Sequence, residues 1–175
     1  ITVFVAEDAE PLPTPEAETT VVVNEIMYNS ESFDPMEEFI EFYNTGDEHV
    51  DISGWTFSAG IEYTFPADTV ITTGSYLVIA ADPSTIMDLY DLENVMGPWT
   101  GDLSDDGELL EILTPAYEVA DVVEYGVSDP WPDDANGFGS SLEVIDAWDD
   151  NSIPANWMAS DPPESAEALS HLLRT

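Results

Sequence analysis

Apolar positions along the chain fall into short bursts separated by turn residues. The clearest set lies between Val21 and Phe57, where Val21–Tyr28, Glu37–Asn44 and Val50–Phe57 are rich in β-branched and aromatic residues. Asn29-Ser30, Asp34-Pro35 and Thr45-Gly46 mark the turns between them. In the middle burst Phe39 and Phe42 alternate imperfectly with Glu38 and Glu41, which predicts a sheet with one packed face and one wet face. Tyr63–Phe65 reads as a short strand ended by Pro66, which cannot donate to a ladder. Val70–Ile71 and Tyr76–Ala80 read as a hairpin about Thr73-Gly74. Further strands are expected at Glu108–Leu113, after the tight-turn signal Ser104–Gly107, then at Val119–Tyr125 and Ser141–Ile145.

Two stretches have a helical period. Asp82 can cap a helix with Pro83 at its first position, and Ile86, Leu89 and Tyr90 recur at helical spacing, so one short helix is expected across an end of the sheets. Ser165–Arg174 reads as a second short helix beyond Asp161-Pro162-Pro163. At the other end, Ile1–Ala6 is a strand-like run in which Ile1, Val3 and Val5 would share one face and Thr2, Phe4 and Ala6 the other. Asp8–Thr20, with three prolines and four acids, is a stiff linker. Three fates are open to the run: a fold-back edge strand, an unstructured tail, or a strand added to a neighbouring subunit's sheet. The organisation is residues 1–20 as strand and linker, 21–160 as the body, and 161–175 as a tail.

The ordered segments NEIMYN, EEFIEFYNTG, VDISGWTFS, YTFPADTVITTGSYLVIA, GPWTGDLSDDGELLEI, VADVVEYG, SSLEVID and NSIPANWMAS resemble the lamin tail domain in its prokaryotic, secreted version. The resemblance covers about residues 21–160. It implies an all-β, immunoglobulin-like sandwich and implies no catalytic site. Trp55 would then be a core aromatic, with Gly54 allowing a bend.

Composition changes this picture in one respect. The chain has 175 residues with 43% apolar content, enough for a sizeable core, yet 38 acidic residues face a single Arg174 and no Lys. Surface charge pairing is impossible with that inventory, and self-repulsion must be screened by concentrated salt of the halophilic kind, by divalent cations or by a basic partner. Nucleic acid is excluded as a partner, because phosphates need cations. No apolar run approaches the ~18 residues of a membrane span. The absence of Cys removes disulfides and thiolate chemistry. His49 and His171 sit in no nucleophile motif, and with so many acids a carboxylate pair at hydrolase spacing carries no weight.

Calcium is the cofactor to weigh, since it takes about six to eight oxygen ligands from acidic loops. Asp129, Asp133, Asp134 and Asn136 form one set, and Asp146, Asp149, Asp150 and Asn151 another. A weaker set, Asp102, Asp105 and Asp106, is explained by its turn, and Leu113 stands where the helix–loop–helix calcium motif needs Glu. Trp131 and Trp148 could stack on sugar rings or could pack loops onto the sandwich. Glu25, inside the first strand, is expected to be a buried carboxyl bonded to backbone at a turn. The expected role is a non-catalytic, extracellular or cell-surface subunit. It would form a homo-oligomer or polymer through Ile1, Thr2, Val3, Phe4, Val5 and Ala6, with cations screening its acids. The alternative is a calcium-dependent adhesion or carbohydrate-binding module of a larger surface protein.

Overall fold

The computed structural model describes residues 19–161. The expected strand at Ile1–Ala6 and the helix at Ser165–Arg174 lie outside the described residues. Among these residues ten strands form two main sheets and a two-stranded pair. The larger sheet has the order β10-β9-β1-β2-β6, with β1 at Val21–Met27, β2 at Phe39–Asn44, β6 at Tyr76–Ala80, β9 at Leu142–Val144 and β10 at Trp157–Ala159. The second has the order β4-β7-β8, at Thr56–Ala59, Glu108–Leu113 and Val119–Tyr125. β3 at Val50–Asp51 pairs with β5 at Val70–Ile71. Between the sheets lies a core that includes Val23, Ile26, Ile40, Phe42, Trp55, Phe57, Leu110 and Val123. This is the all-β, immunoglobulin-like sandwich that the resemblance implies.

The register explains where simple alternation fails. β1 pairs antiparallel with β2, and the register shifts between Val23 and Glu25, so Asn24 is an extra residue. Val23 and Ile26 therefore both reach the core although they lie an odd number of positions apart. Val50–Phe57 is not one strand: Gly54, at φ +75, turns the chain so that its halves enter different sheets. Val70–Ile71 and Tyr76–Ala80 are not a hairpin either, since β5 pairs with β3 while β6 pairs with β2. Tyr63–Phe65 is reduced to a bridge, Thr56 to Thr64, with main-chain bonds from Phe57 N to Tyr63 O and from Phe65 N to Trp55 O.

The wet face expected for the large sheet is packed. Along β2, Phe39 and Ile40 point to opposite sides and both are buried. Helix α1 at Pro83–Tyr90 is capped by Asp82, whose Oδ1 accepts from Ser84 N and Thr85 N. It lies against the outer side of the sheet, where Ile86 and Tyr90 cluster with Met27, Phe39, Val78 and Ala80, rather than across an end of the sandwich. Beside this apolar cluster the register sets three carboxyls in a row, Glu143 on β9, Glu25 on β1 and Glu41 on β2. Glu25 is buried as expected, but mid-strand rather than at a turn, and it accepts a hydrogen bond from Ser141 Oγ. Glu41 Oε1 accepts from Asn24 Nδ2, while its buried Oε2 has no hydrogen-bond partner. Burial first, then the charge of Glu25, push the Glu41 carboxyl well above the ordinary range.

One further buried acid joins the two sheets. β9 opposes β1 only at Glu25 and Ile26, so the Val23 main chain runs past its end. Val23 N instead donates to Asp121 Oδ2 at 2.6 Å, and Val23 O accepts from Asn151 Nδ2 at 3.1 Å. Asn151 also donates to Asp121 Oδ2 at 2.9 Å, and Val122 N donates to Asp121 Oδ1 at 2.8 Å. Three donors thus occupy three of the four lone-pair directions of Asp121 inside the sandwich. Its carboxyl is still pushed up to about 6, because burial outweighs the donors.

Asp121→Ala should cost about 2–4 kcal/mol in urea denaturation, because it leaves the N–H groups of Val23 and Val122 without this acceptor in the interior and removes one of the two bonds of Asn151 Nδ2. Stability should also fall as pH rises. A carboxyl whose proton is held more tightly in the folded chain contributes fully below its ordinary value, 3.8 for Asp121, and loses that contribution as pH climbs through its folded value near 6. Glu41 acts in the same direction, and so does the loss of net charge on acidification. The thermal midpoint in low salt should therefore be higher at pH 5 than at pH 8. Glu41→Gln should raise it at pH 8 and change it little at pH 5.

Candidate functional site

At one end of the sandwich the chain leaves β1 through Tyr28 and returns to β2 through Glu38. Across this gap lies the segment Gly101–Gly107 that leads into β7. Each part has a local cause. Asp34 Oδ1 accepts from Met36 N and caps the 3-10 turn Pro35–Glu37. Asn29 Nδ2 donates to Asn136 Oδ1 at 2.7 Å and Asn29 O accepts from Gly137 N, which ties this loop to the acidic loop before β9. Gly107, at φ +88, lets the opposite segment close: an added Cβ would sit 2.6 Å from Tyr125 O.

These segments enclose a cleft of about 210 Å³ lined by Tyr28, Phe33, Pro35, Glu38, Asp102 and Asp105 among others. Its polar residues form a connected system. Glu38 is 4% exposed, and its Oε2 accepts from Leu103 N at 2.8 Å. Burial, and then the charges of Asp102, Asp105 and Glu108, raise its carboxyl to about 8 against the opposing effect of the Leu103 bond. The Tyr28 ring leans on Tyr125 with centroids 4.9 Å apart. Tyr125 Oη lies 3.0 Å from Ser104 O and 3.1 Å from Glu108 Oε1, so its single proton is satisfied. Tyr28 Oη is buried without a hydrogen-bond partner, and burial with the charge of Asp105 pushes that phenol up to about 12. The walls are acidic, the lip is apolar at the exposed Phe33, and the chemistry on offer is acceptance of positive charge.

The residues singled out from sequence distribute differently. Asp129, Asp133 and Asp134 are exposed on the acidic loop, and Asn136 Oδ1 is engaged by Asn29. Asp146 Oδ1 accepts from Trp148 N, and Asp150 Oδ1 accepts from Ser152 N and Oγ, so both organise their own turns, while Asp149 is exposed. Asn151 is a buried structural residue, held by Asp121 and Val23. Among the described residues no three His, Cys, Asp or Glu side chains gather as a metal ion would require. Of the two alternatives for Trp131 the structure has the packing one: it is buried, with its ring centroid 5.7 Å from that of Trp157. Trp148 is 70% exposed, edge-on to Tyr43 at 5.9 Å, with its Nε1 donating to Thr45 O. Of the weaker set Asp102, Asp105 and Asp106, the first two line the cleft and Asp106 does not, while Tyr28 and Glu38, which the sequence did not mark as site residues, join them. The doubled Glu37-Glu38 just before an apolar strand was the one available signal for Glu38.

No helix among the described residues is long and apolar enough to cross a membrane. No curated protein matches the chain. A family model, the lamin tail domain, matches residues 14–126, most of the chain, and that span begins ahead of β1 and ends at the residue after β8. Strand order, core and family match agree, and the chain belongs to the lamin tail domain family.

Proposed function

We propose that this domain is a non-catalytic, extracellular structural subunit that self-associates by adding the strand Ile1–Ala6 to the sheet edge of a neighbour. The observation that supports this reading is β8. It is seven residues long and ends its sheet among the described residues. Two other edges are guarded by their own chain: Met96 bonds along β6, and the Tyr63–Phe65 segment bonds along β4. The short apolar run on a stiff linker is of suitable length to extend an edge such as β8. Main-chain bonds would supply affinity, and alternate side chains would supply specificity. Cations, as concentrated salt or calcium, would screen the carboxylates that otherwise keep copies apart.

Light scattering and electron microscopy on the intact chain, and on one lacking Ile1–Glu7, test this in chelator, in millimolar calcium and in molar salt. Long assemblies should form only with the intact chain and only where cations are plentiful. Monomers of both under every condition would refute the proposal.

A second reading has its own observation. Tyr43 and Tyr76 lie 4.5 Å apart, and exposed Trp148 stands beside Tyr43, giving an aromatic patch suited to stacking on a sugar ring. In this reading the domain is a carbohydrate-binding or adhesion module of a larger surface protein. Glycan-array binding that is lost in Trp148→Ala, with the thermal midpoint unchanged, is the expected signature. An array without a hit would remove this reading.

A further inference from the structure

We propose that the cleft between Tyr28–Glu38 and Asp102–Asp105 is a binding site for a primary ammonium group on an alkyl stem, as carried by a lysine side chain or a free alkylamine. The argument begins with chemistry. Four acidic residues, Asp34, Glu38, Asp102 and Asp105, line one small cleft, and no cationic residue lines it. Beside them the Tyr28 hydroxyl is buried and lacks a partner. A buried hydroxyl left without a bond is costly, so a donor entering the cleft gives it an acceptor role that the free domain leaves unused. An ammonium carries three donors and no acceptor, the complement of this wall.

Size and shape narrow the class. About 210 Å³ is below the ~300 Å³ at which drug-sized ligand pockets begin, and suits one side chain rather than a sugar or a nucleotide. The carboxyls line the cleft without closing into a metal-binding group, so a bare divalent ion finds no ready shell. An ammonium on a stem needs no such shell. Phe33, 69% exposed, and Pro35 at the lip offer apolar surface along which methylenes can lie. No lysine of residues 1–175 can fill it, because they contain none. The site is independent of the strand-addition proposal and stands or falls separately.

The geometry also dictates a pH dependence. Glu38 is faced by Asp102, Asp105 and Glu108 from the opposite segment, with the phenols of Tyr28 and Tyr125 adjoining and Asp34 on its own loop. It is largely protonated at pH 7. An incoming ammonium favours the carboxylate, so binding expels a proton, and affinity should rise by up to about tenfold per pH unit between pH 6 and 7 and level off above 8.

The test is nuclear magnetic resonance titration and calorimetry of the full chain with acetyl-Gly-Lys-Gly-amide, its Nε-acetylated form, butylamine and calcium chloride. The lysyl peptide should perturb residues 28–38 and 102–105, and the acetylated peptide should not. Asp102 and Asp105 are exposed, so the Asp102→Asn/Asp105→Asn double variant should fold and bind about tenfold more weakly or worse. Asp133→Asn/Asp134→Asn, the same charge change on exposed residues outside the cleft lining, should bind as the parent does. Tyr28→Phe should weaken binding and raise the thermal midpoint of the free protein. Butylamine binding as tightly as the peptide identifies a free amine as the source, and tighter peptide binding identifies a lysine side chain. Equal weakening in both double variants, equal binding of the acetylated peptide, or calcium occupying the cleft ahead of both amines would each overturn the proposal.

Discussion

The sandwich depends on how a buried carboxylate is accommodated. Asp121 sits inside, on the strand of the smaller sheet, and takes the main-chain N–H of Val23 on the larger one. Where β9 stops pairing, β1 would otherwise leave both polar groups of Val23 unbonded in the interior. Asp121 and Asn151 supply the missing partners, and Trp157 Nε1 then holds Asn151 through its carbonyl. The two sheets, the loop before β10 and β10 itself are thereby locked in one register. A hydrophobic core holds sheets together without fixing their sliding position, whereas this network has one satisfied arrangement.

The same principle governs the rest of the acidic inventory. With 38 acids and one Arg, burying some carboxyls in protonated or hydrogen-bonded form removes charge from a crowded surface. The row Glu143, Glu25 and Glu41 falls beside the apolar patch that α1 covers, and Glu38 lies under Leu103. Glu38, Glu41 and Asp121, whose carboxyls burial pushes up, each lose stability as pH rises. Protonation of these groups on acidification relieves both their own burial cost and the net charge.

Much of the strand inventory was legible in the chain itself, since β-branched and aromatic bursts between turn residues locate β1, β2, β6, β7, β8 and β9 to within a residue or two. The failures share one cause. Alternation reports how a strand faces, and bulges or bends reset it without leaving a strong mark: Asn24 in β1 and Gly54 between β3 and β4 are single residues. β10 is three residues long and hid behind Trp157, which reads equally well as an anchor. Of the site, the acids of Ser104–Gly107 were visible as a turn, but their meeting with Glu38 was not, because Asp102 and Glu38 are far apart in sequence.

By itself, then, the sequence determined the strand-forming segments, the capped helix at Asp82 and a large net negative charge, because these follow from local propensity, periodicity and composition, while the sandwich was legible through the family resemblance. Pairing partners, the packing of both faces of the large sheet, the burial of Trp131, Asn151 and Asp121, and the enclosure of the cleft were decided only in three dimensions. The physical reason is that burial and hydrogen-bond satisfaction depend on which distant segments meet. A carboxylate written in the chain is the same letter whether water, a backbone N–H or an incoming cation will face it.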